Sequence, residues 1–205
     1  RMASAHVDGD LSEWDGKSTA WLDYTYSWAR FGRWLEQIYD GGEHLSEFFN
    51  TCKYVDVRGA IWCGWNDDGI FVGVRVWDDS LAPMRKDSEL CDAIEIHLDG
   101  DVTDDDVNAP RTDDVIIRIS LREGLVSERL ANGAIACAKP LDDGWCAEAF
   151  IPHRALRIKP RVYDIIGIDI FLHDADVVGR KRTHAILRWA GGSRSTGHAW
   201  LLASD

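Results

Sequence analysis

Residues 59–77 read Gly59-Ala60-Ile61-Trp62-Cys63-Gly64-Trp65-Asn66-Asp67-Asp68-Gly69-Ile70-Phe71-Val72-Gly73-Val74-Arg75-Val76-Trp77. Strand neighbours point to opposite faces, so Val72, Val74 and Val76 share one face, and Phe71, Gly73, Arg75 and Trp77 share the other. The acidic, Gly-ended stretch Asn66-Asp67-Asp68-Gly69 supplies turn chemistry between two runs of strand formers. Residues 59–65 and 70–77 are therefore expected to form a β-hairpin.

The same punctuation recurs along the chain. Strands are expected at residues 92–99, 115–122, 134–139, 145–151, 164–174, 185–189 and 199–203, separated by runs of Gly, Asp, Asn and Pro. Asp142-Asp143-Gly144 makes a second hairpin turn, and Pro152 closes the strand at 145–151, with one helical turn at 152–156. Many short strands with turn signals about every ten residues predict an all-β, antiparallel, two-sheet β-sandwich of jelly-roll type. Its 205 residues suit a single domain over 1–205. One segment departs from the pattern: residues 21–52 crowd aromatic side chains among Gly, Glu and Asp. The spacing of Trp28, Phe31, Leu35 and Ile38 predicts that this insertion is partly helical.

Composition excludes several classes. A formal net charge of -12 opposes binding to a nucleic-acid backbone, which needs a field of the other sign. The longest apolar runs are too short and too interrupted to span a bilayer as a helix, so no membrane partner is expected. An acidic surface suits neutral ligands, divalent cations and a secreted, periplasmic or extracellular setting. Five cysteines without a C-x-x-C spacing exclude a zinc ribbon or a thioredoxin-type motif. Cys137 and Cys146 either face each other across the Asp142-Asp143-Gly144 hairpin as a disulfide or remain buried thiols.

Separating alternate residues gives the candidate site. Ile94, Ile96 and Leu98 oppose Glu95 and His97. Ile117, Ile119 and Leu121 oppose Arg118 and Ser120. Ile166, Ile168, Ile170 and Leu172 oppose Asp169, Phe171 and His173. With the hairpin strand 70–77, four strands thus pair an aliphatic face with a face mixing charge and rings. The alternative is one solvated side of a sheet, but such a side is usually rich in Lys, Ser and Thr. Glu95, Arg118, Arg75, Asp169, His97 and His173 beside Phe71, Trp77 and Phe171 are what a sugar site needs: planar groups for hydroxyls, aromatic faces for C–H surfaces. Ten tryptophans in the chain fit both a sandwich core and such a site.

Several ordered motifs resemble the family 9 carbohydrate-binding modules. They are Val7-Asp8-Gly9-Asp10-Leu11-Ser12-Glu13-Trp14, the hairpin from Ile61 to Asp79, Asp92-Ala93-Ile94-Glu95-Ile96-His97-Leu98-Asp99, Gly144-Trp145-Cys146-Ala147-Glu148-Ala149-Phe150-Ile151-Pro152, the strand from Ile166 to Asp176, and Trp189. The resemblance implies a calcium-bearing β-sandwich that binds carbohydrate without hydrolysing it, often in one polypeptide with a glycoside hydrolase catalytic domain. It implies that Glu95 and Arg118 hydrogen-bond sugar hydroxyls and that Phe171 stands where a polar contact is expected. The positions of the family's paired tryptophans, near Glu89 and between Gly191 and His198, hold no aromatic residue here. The stacking surface is then expected from Trp77, Phe171 or the inserted aromatic group. For calcium, Asp8 and Asp10 space oxygen ligands at alternate positions, and Asp174, matching the family's D-A-(D/N), is expected to close the site. The alternative is that Asp8 and Asp10 merely form a turn.

Three other functions fit parts of the pattern. An interaction or assembly domain on the same fold would need no sugar, the aromatic insertion docking on a neighbouring domain. A haem b electron-transfer domain would need Met84 near His97 and His173. A glycosidase would need Glu95 and Asp169 as acid and base, yet nothing marks either as a proton donor, and no G-x-S-x-G, H-E-x-x-H or phosphate loop is present.

Overall fold

The computed structural model describes residues 6–14, 20–22, 57–84, 91–100, 114–122, 126–129, 133–159, 161, 164–178, 181–182, 185–188 and 198–201. Two antiparallel sheets face each other across an aliphatic core. In chain order the strands are β1 (Ala20–Leu22), β2 (Arg58–Trp65), β3 (Gly69–Trp77), β4 (Ala93–Asp99), β5 (Asp114–Ser120), β6 (Val126–Arg129), β7 (Ile135–Leu141), β8 (Gly144–Pro152), β9 (Ile165–Asp174), β10 (Val177–Val178), β11 (Lys181–Arg182), β12 (Ala185–Arg188) and β13 (His198–Leu201). One sheet has the order β1-β2-β3-β8-β7-β6. The other runs β12-β9-β4-β5, with β13 also paired to β9, and β10 and β11 form a separate two-stranded ribbon.

The expected hairpin is β2–β3, and its turn is closed by Asn66, whose Oδ1 accepts from the backbone N–H groups of Asp68 at 2.9 Å and Gly69 at 3.1 Å. The second hairpin, β7–β8, needs a glycine at 144. Its φ is +135°, and a Cβ there would stand 2.1 Å from the carbonyl oxygen of Val76. After Pro152 the chain makes a single 3-10 turn, His153–Leu156. β1 and β6 lie in segments with no clear alternation. The insertion expected at 21–52 begins inside β1, and its remaining residues lie outside the described ones.

Alternation placed the core faces well. Val72, Val74 and Val76 from β3, Ala147 and Ala149 from β8, Ile94, Ile96 and Leu98 from β4, Ile117 and Ile119 from β5 and Ile166, Ile168, Ile170 and Leu172 from β9 are all buried in one cluster around Trp145. Burying each large aliphatic side chain contributes about 1.5–3 kcal/mol, so the two-faced strands are what drives the sheets together.

The outer faces carry the differences. Across the six-stranded sheet, residues 6–14 lie against β3 and β8. Trp14 is buried over Gly73, where an added Cβ would come within 2.9 Å of the indole. Its Nε1–H donates to Glu148 Oε1 at 2.8 Å, while the N–H groups of Gly9 and Asp8 donate to Oε2 at 2.6 and 3.1 Å. Burial raises the pKa of Glu148 despite these three donors, the ordinary penalty for a carboxylate taken out of water.

Cys137 and Cys146 do not form a disulfide. Both are free and buried, because the register sets Cys137 opposite Glu148 and Cys146 opposite Lys139, leaving the two thiols diagonal rather than facing. Cys146 instead donates to the Gly9 carbonyl at 3.3 Å.

Candidate functional site

The outer face of the second sheet gathers one polar cluster. β4 is flanked by β5 and β9, and Glu95 stands in register with Arg118 on one side and Phe171 on the other. Arg118 Nη1 donates to Glu95 Oε1 at 2.6 Å, and the two side chains remain 37% and 24% exposed, open enough to be reached from solution. His173 Nε2 lies 3.4 Å from the same carboxylate oxygen and 3.3 Å from Arg118 Nη1. That nitrogen sits between a donor and an acceptor, so its proton decides which one it bonds. His97 Nε2 approaches the other oxygen, Oε2, at 3.3 Å, and its ring packs on Phe171 with centroids 4.6 Å apart.

Burial alone would raise the pKa of Glu95. The hydrogen bond from Arg118, with His173 and His97 alongside, outweighs burial and holds the carboxyl below its ordinary range. The result is an ionised acceptor beside a guanidinium fork and two imidazoles, with an aromatic ring adjoining. Such a surface offers paired donors and acceptors to vicinal hydroxyls.

Four residues of the expected ligand set therefore come together here: Glu95, Arg118, Phe171 and His173. Asp169 is on the same strand, fully buried and in register with His97, with its Oδ1 accepting from the Ile170 N–H at 2.9 Å. Trp77 and Arg75 do not join them, because β3 belongs to the other sheet. There the guanidinium carbons of Arg58 and Arg75 each lie 5.0 Å from the Trp77 ring. Arg75 also bonds Asp143 and donates to the Trp145 carbonyl at 3.0 Å. Alternation tells which side of its own sheet a residue takes; it does not tell which sheet. His97, which alternation sets on the Glu95 face, joins the cluster as well.

The acidic residues are regrouped as well. Asp78, Asp92 and Asp174, all buried, bring one carboxylate oxygen each to within 4.8 Å of one another. They sit just beyond β3, just before β4 and at the end of β9. Asp92 is the hub: its Oδ2 accepts from the Ala82 N–H at 2.7 Å and its Oδ1 from the Ala175 N–H at 2.9 Å. Burial pushes its carboxyl up to about 7 and raises Asp78 and Asp176 too. Asp78 Oδ2 and Asp176 Oδ1 are buried with no hydrogen-bond partner.

Asp8 and Asp10, expected to share a site with Asp174, do not meet it. Asp8 Oδ1 accepts from the Asp10 N–H, and Asp10 Oδ1 from the Ser12 N–H, both at 2.9 Å, which is the turn alternative. The reason is the docking of residues 8–14 on the outer face of the six-stranded sheet through Glu148, whereas Asp174 closes a strand of the other sheet. Asp78 and Asp92 carried a signal in the sequence, each being an aspartate at the end of an apolar strand, but the pairing of strand ends is a tertiary fact.

A family model described as "Carbohydrate family 9 binding domain-like" matches residues 42–200. Among solved structures, a carbohydrate binding module family 9 from Caldicellulosiruptor kristjanssonii in complex with cellotriose is similar at a TM-score of 0.55. It has 18% identity over 74% of this chain and 77% of that one. A module of the same family and organism in complex with glucose gives a TM-score of 0.48 and 20% identity, over 65% of this chain and 67% of that one. No curated protein matches the chain.

Proposed function

The chain belongs to the carbohydrate family 9 binding domain-like family, and from that premise we propose that it binds a saccharide, without cleaving it, on the sheet face bearing Glu95 and Arg118. The observation that carries this reading is the convergence of Arg118, His173 and His97 on one partly exposed carboxylate. A lone structural ion pair needs one cation. A guanidinium and two imidazoles around an ionised acceptor, beside Phe171, form a patterned surface for hydroxyl groups. A glycan array followed by calorimetry on its binders tests the reading. Saturable binding to at least one saccharide class, with no release of reducing ends, is expected. A folded protein that binds nothing on the array is an assembly domain and overturns the proposal.

We further propose that the family's calcium is held by Asp78, Asp92 and Asp174. The donor set is all hard oxygen, which suits that ion, and the partnerless Asp78 Oδ2 favours a ligand there. Bound calcium would supply the charge that three buried carboxylates lack. Asp92 meanwhile holds the 82 and 175 backbone positions against the ends of β4 and β9. The family's usual setting and the acidic surface favour a secreted or periplasmic module carried in one polypeptide with a glycoside hydrolase.

A further inference from the structure

The saccharide face has two aliphatic flanks. Among the described residues the large hydrophobic side chains left most exposed include Ile116, at 50%, and Ile186, at 52%. Neither position is random with respect to the polar cluster. Ile116 on β5 is the direct cross-strand partner of His97, and Ile186 on β12 is the direct partner of His173. Directly paired residues share a face with their Cβ atoms about 4.5–5.5 Å apart. Each imidazole that meets Glu95 is thus bordered by a half-exposed isoleucine, one toward each edge of the sheet.

Ile94 and Ile96, at inward positions of the same sheet, are buried, whereas Ile116 and Ile186 stand at outward ones. An isoleucine at an outward position of an edge strand keeps apolar surface in water unless something covers it. Its shape then limits what that something is. A tryptophan offers a flat face that matches the C–H plane of a pyranose. Isoleucine offers branched, convex methyl groups, which do not lie flat on a ring but do pack against another methyl.

We infer that the site prefers saccharides carrying apolar substituents, 6-deoxy or acetyl groups, over their unsubstituted parents, with Ile116 and Ile186 as the specificity-determining contacts. The inference rests on the saccharide reading above and deepens it by naming the ligand class. The polar cluster takes hydroxyls of the ring, and a methyl or acetyl group reaches a flank. Covering one methyl is worth about fourfold in affinity, the fold-change given by about 0.8 kcal/mol.

Calorimetry on the full chain with matched pairs tests this: glucose against 6-deoxyglucose and N-acetylglucosamine, and xylo-oligosaccharides with and without O-acetyl groups. The expected result is a preference of about fourfold or more for the substituted member of at least one pair. Ile116→Ser or Ile186→Ser should reduce that preference to none. Equal affinities within every pair, or a preference that survives both substitutions, overturns the inference and leaves the saccharide reading standing. Absence of binding to every member of every pair and to every saccharide of the array, with the fold intact by circular dichroism, overturns both.

Discussion

Arg118 and Glu95 are direct cross-strand partners, joined at 2.6 Å on the outer face of β4 and β5. Neither contributes to the core, and an ion pair this exposed is worth at most about 1 kcal/mol of stability. The pair therefore separates a role in binding from a role in folding. Arg118→Ala and Glu95→Ala are each expected to weaken saccharide binding about tenfold or more, since a hydrogen bond to a charged group is worth about 1.5–3 kcal/mol. Thermal midpoints should move by no more than a few degrees. Calorimetry and thermal melts on the same samples check both halves, and unchanged affinity in both variants would remove this face as the site.

Trp77 supplies the matching control. It lies on the other sheet beneath Arg58 and Arg75, so Trp77→Ala should leave saccharide affinity within twofold of the parent. A large loss would mean that the ring, and not the cluster around Glu95, meets the ligand.

The Asp78–Asp92–Asp174 group has a pH dependence whose sign follows from its burial. Asp92 is raised from its usual range to about 7, so between about pH 4 and pH 7 the folded state holds a proton that the unfolded chain has released. Without divalent cations, stability should fall as pH rises through that window and level off above it. Calcium binds the ionised group and opposes the fall. At pH 7.5, calcium at about 100 times its dissociation constant should add roughly 2.7 kcal/mol, a rise of about 5–10 °C at 2–4 °C per kcal/mol. Chelator should reverse the rise, and Asp92→Asn should abolish it. Scanning calorimetry across pH 5–8 with calcium or EDTA measures all of this.

Glu148 is the acceptor that holds residues 6–14 to the six-stranded sheet. Glu148→Ala leaves the Asp8 and Gly9 N–H groups and the Trp14 indole N–H without their acceptor, at about 1–3 kcal/mol for each donor that stays buried. Urea denaturation should show a loss of about 2–4 kcal/mol, and Trp14→Phe, which removes one of the three bonds, a smaller one. Saccharide affinity measured on folded protein should be unchanged, because the latch lies on the opposite face of the sandwich from Glu95.

The sequence alone determined everything that depends on neighbours along the chain. Period-two alternation placed the inward residues of β3, β4, β5 and β9, because a pleated backbone leaves no other way to sort them. Turn chemistry placed both hairpins, since Asn66 and Gly144 meet local demands of hydrogen bonding and φ. Alternation also put Glu95 and Arg118 on outward faces, and family resemblance marked them as a site. Strand ends and pairings were decided only by the tertiary structure. It assigned β3 to one sheet and β4, β5 and β9 to the other, and so divided Trp77 and Arg75 from Glu95. Asp174 went with Asp78 and Asp92 rather than with Asp8 and Asp10, because carboxylates 14, 82 and 96 residues apart meet only when three strand ends do. The spread of contacts explains the division. Alternation is a property of one strand in isolation, whereas register and sheet membership are set by which aliphatic faces find each other when the core closes.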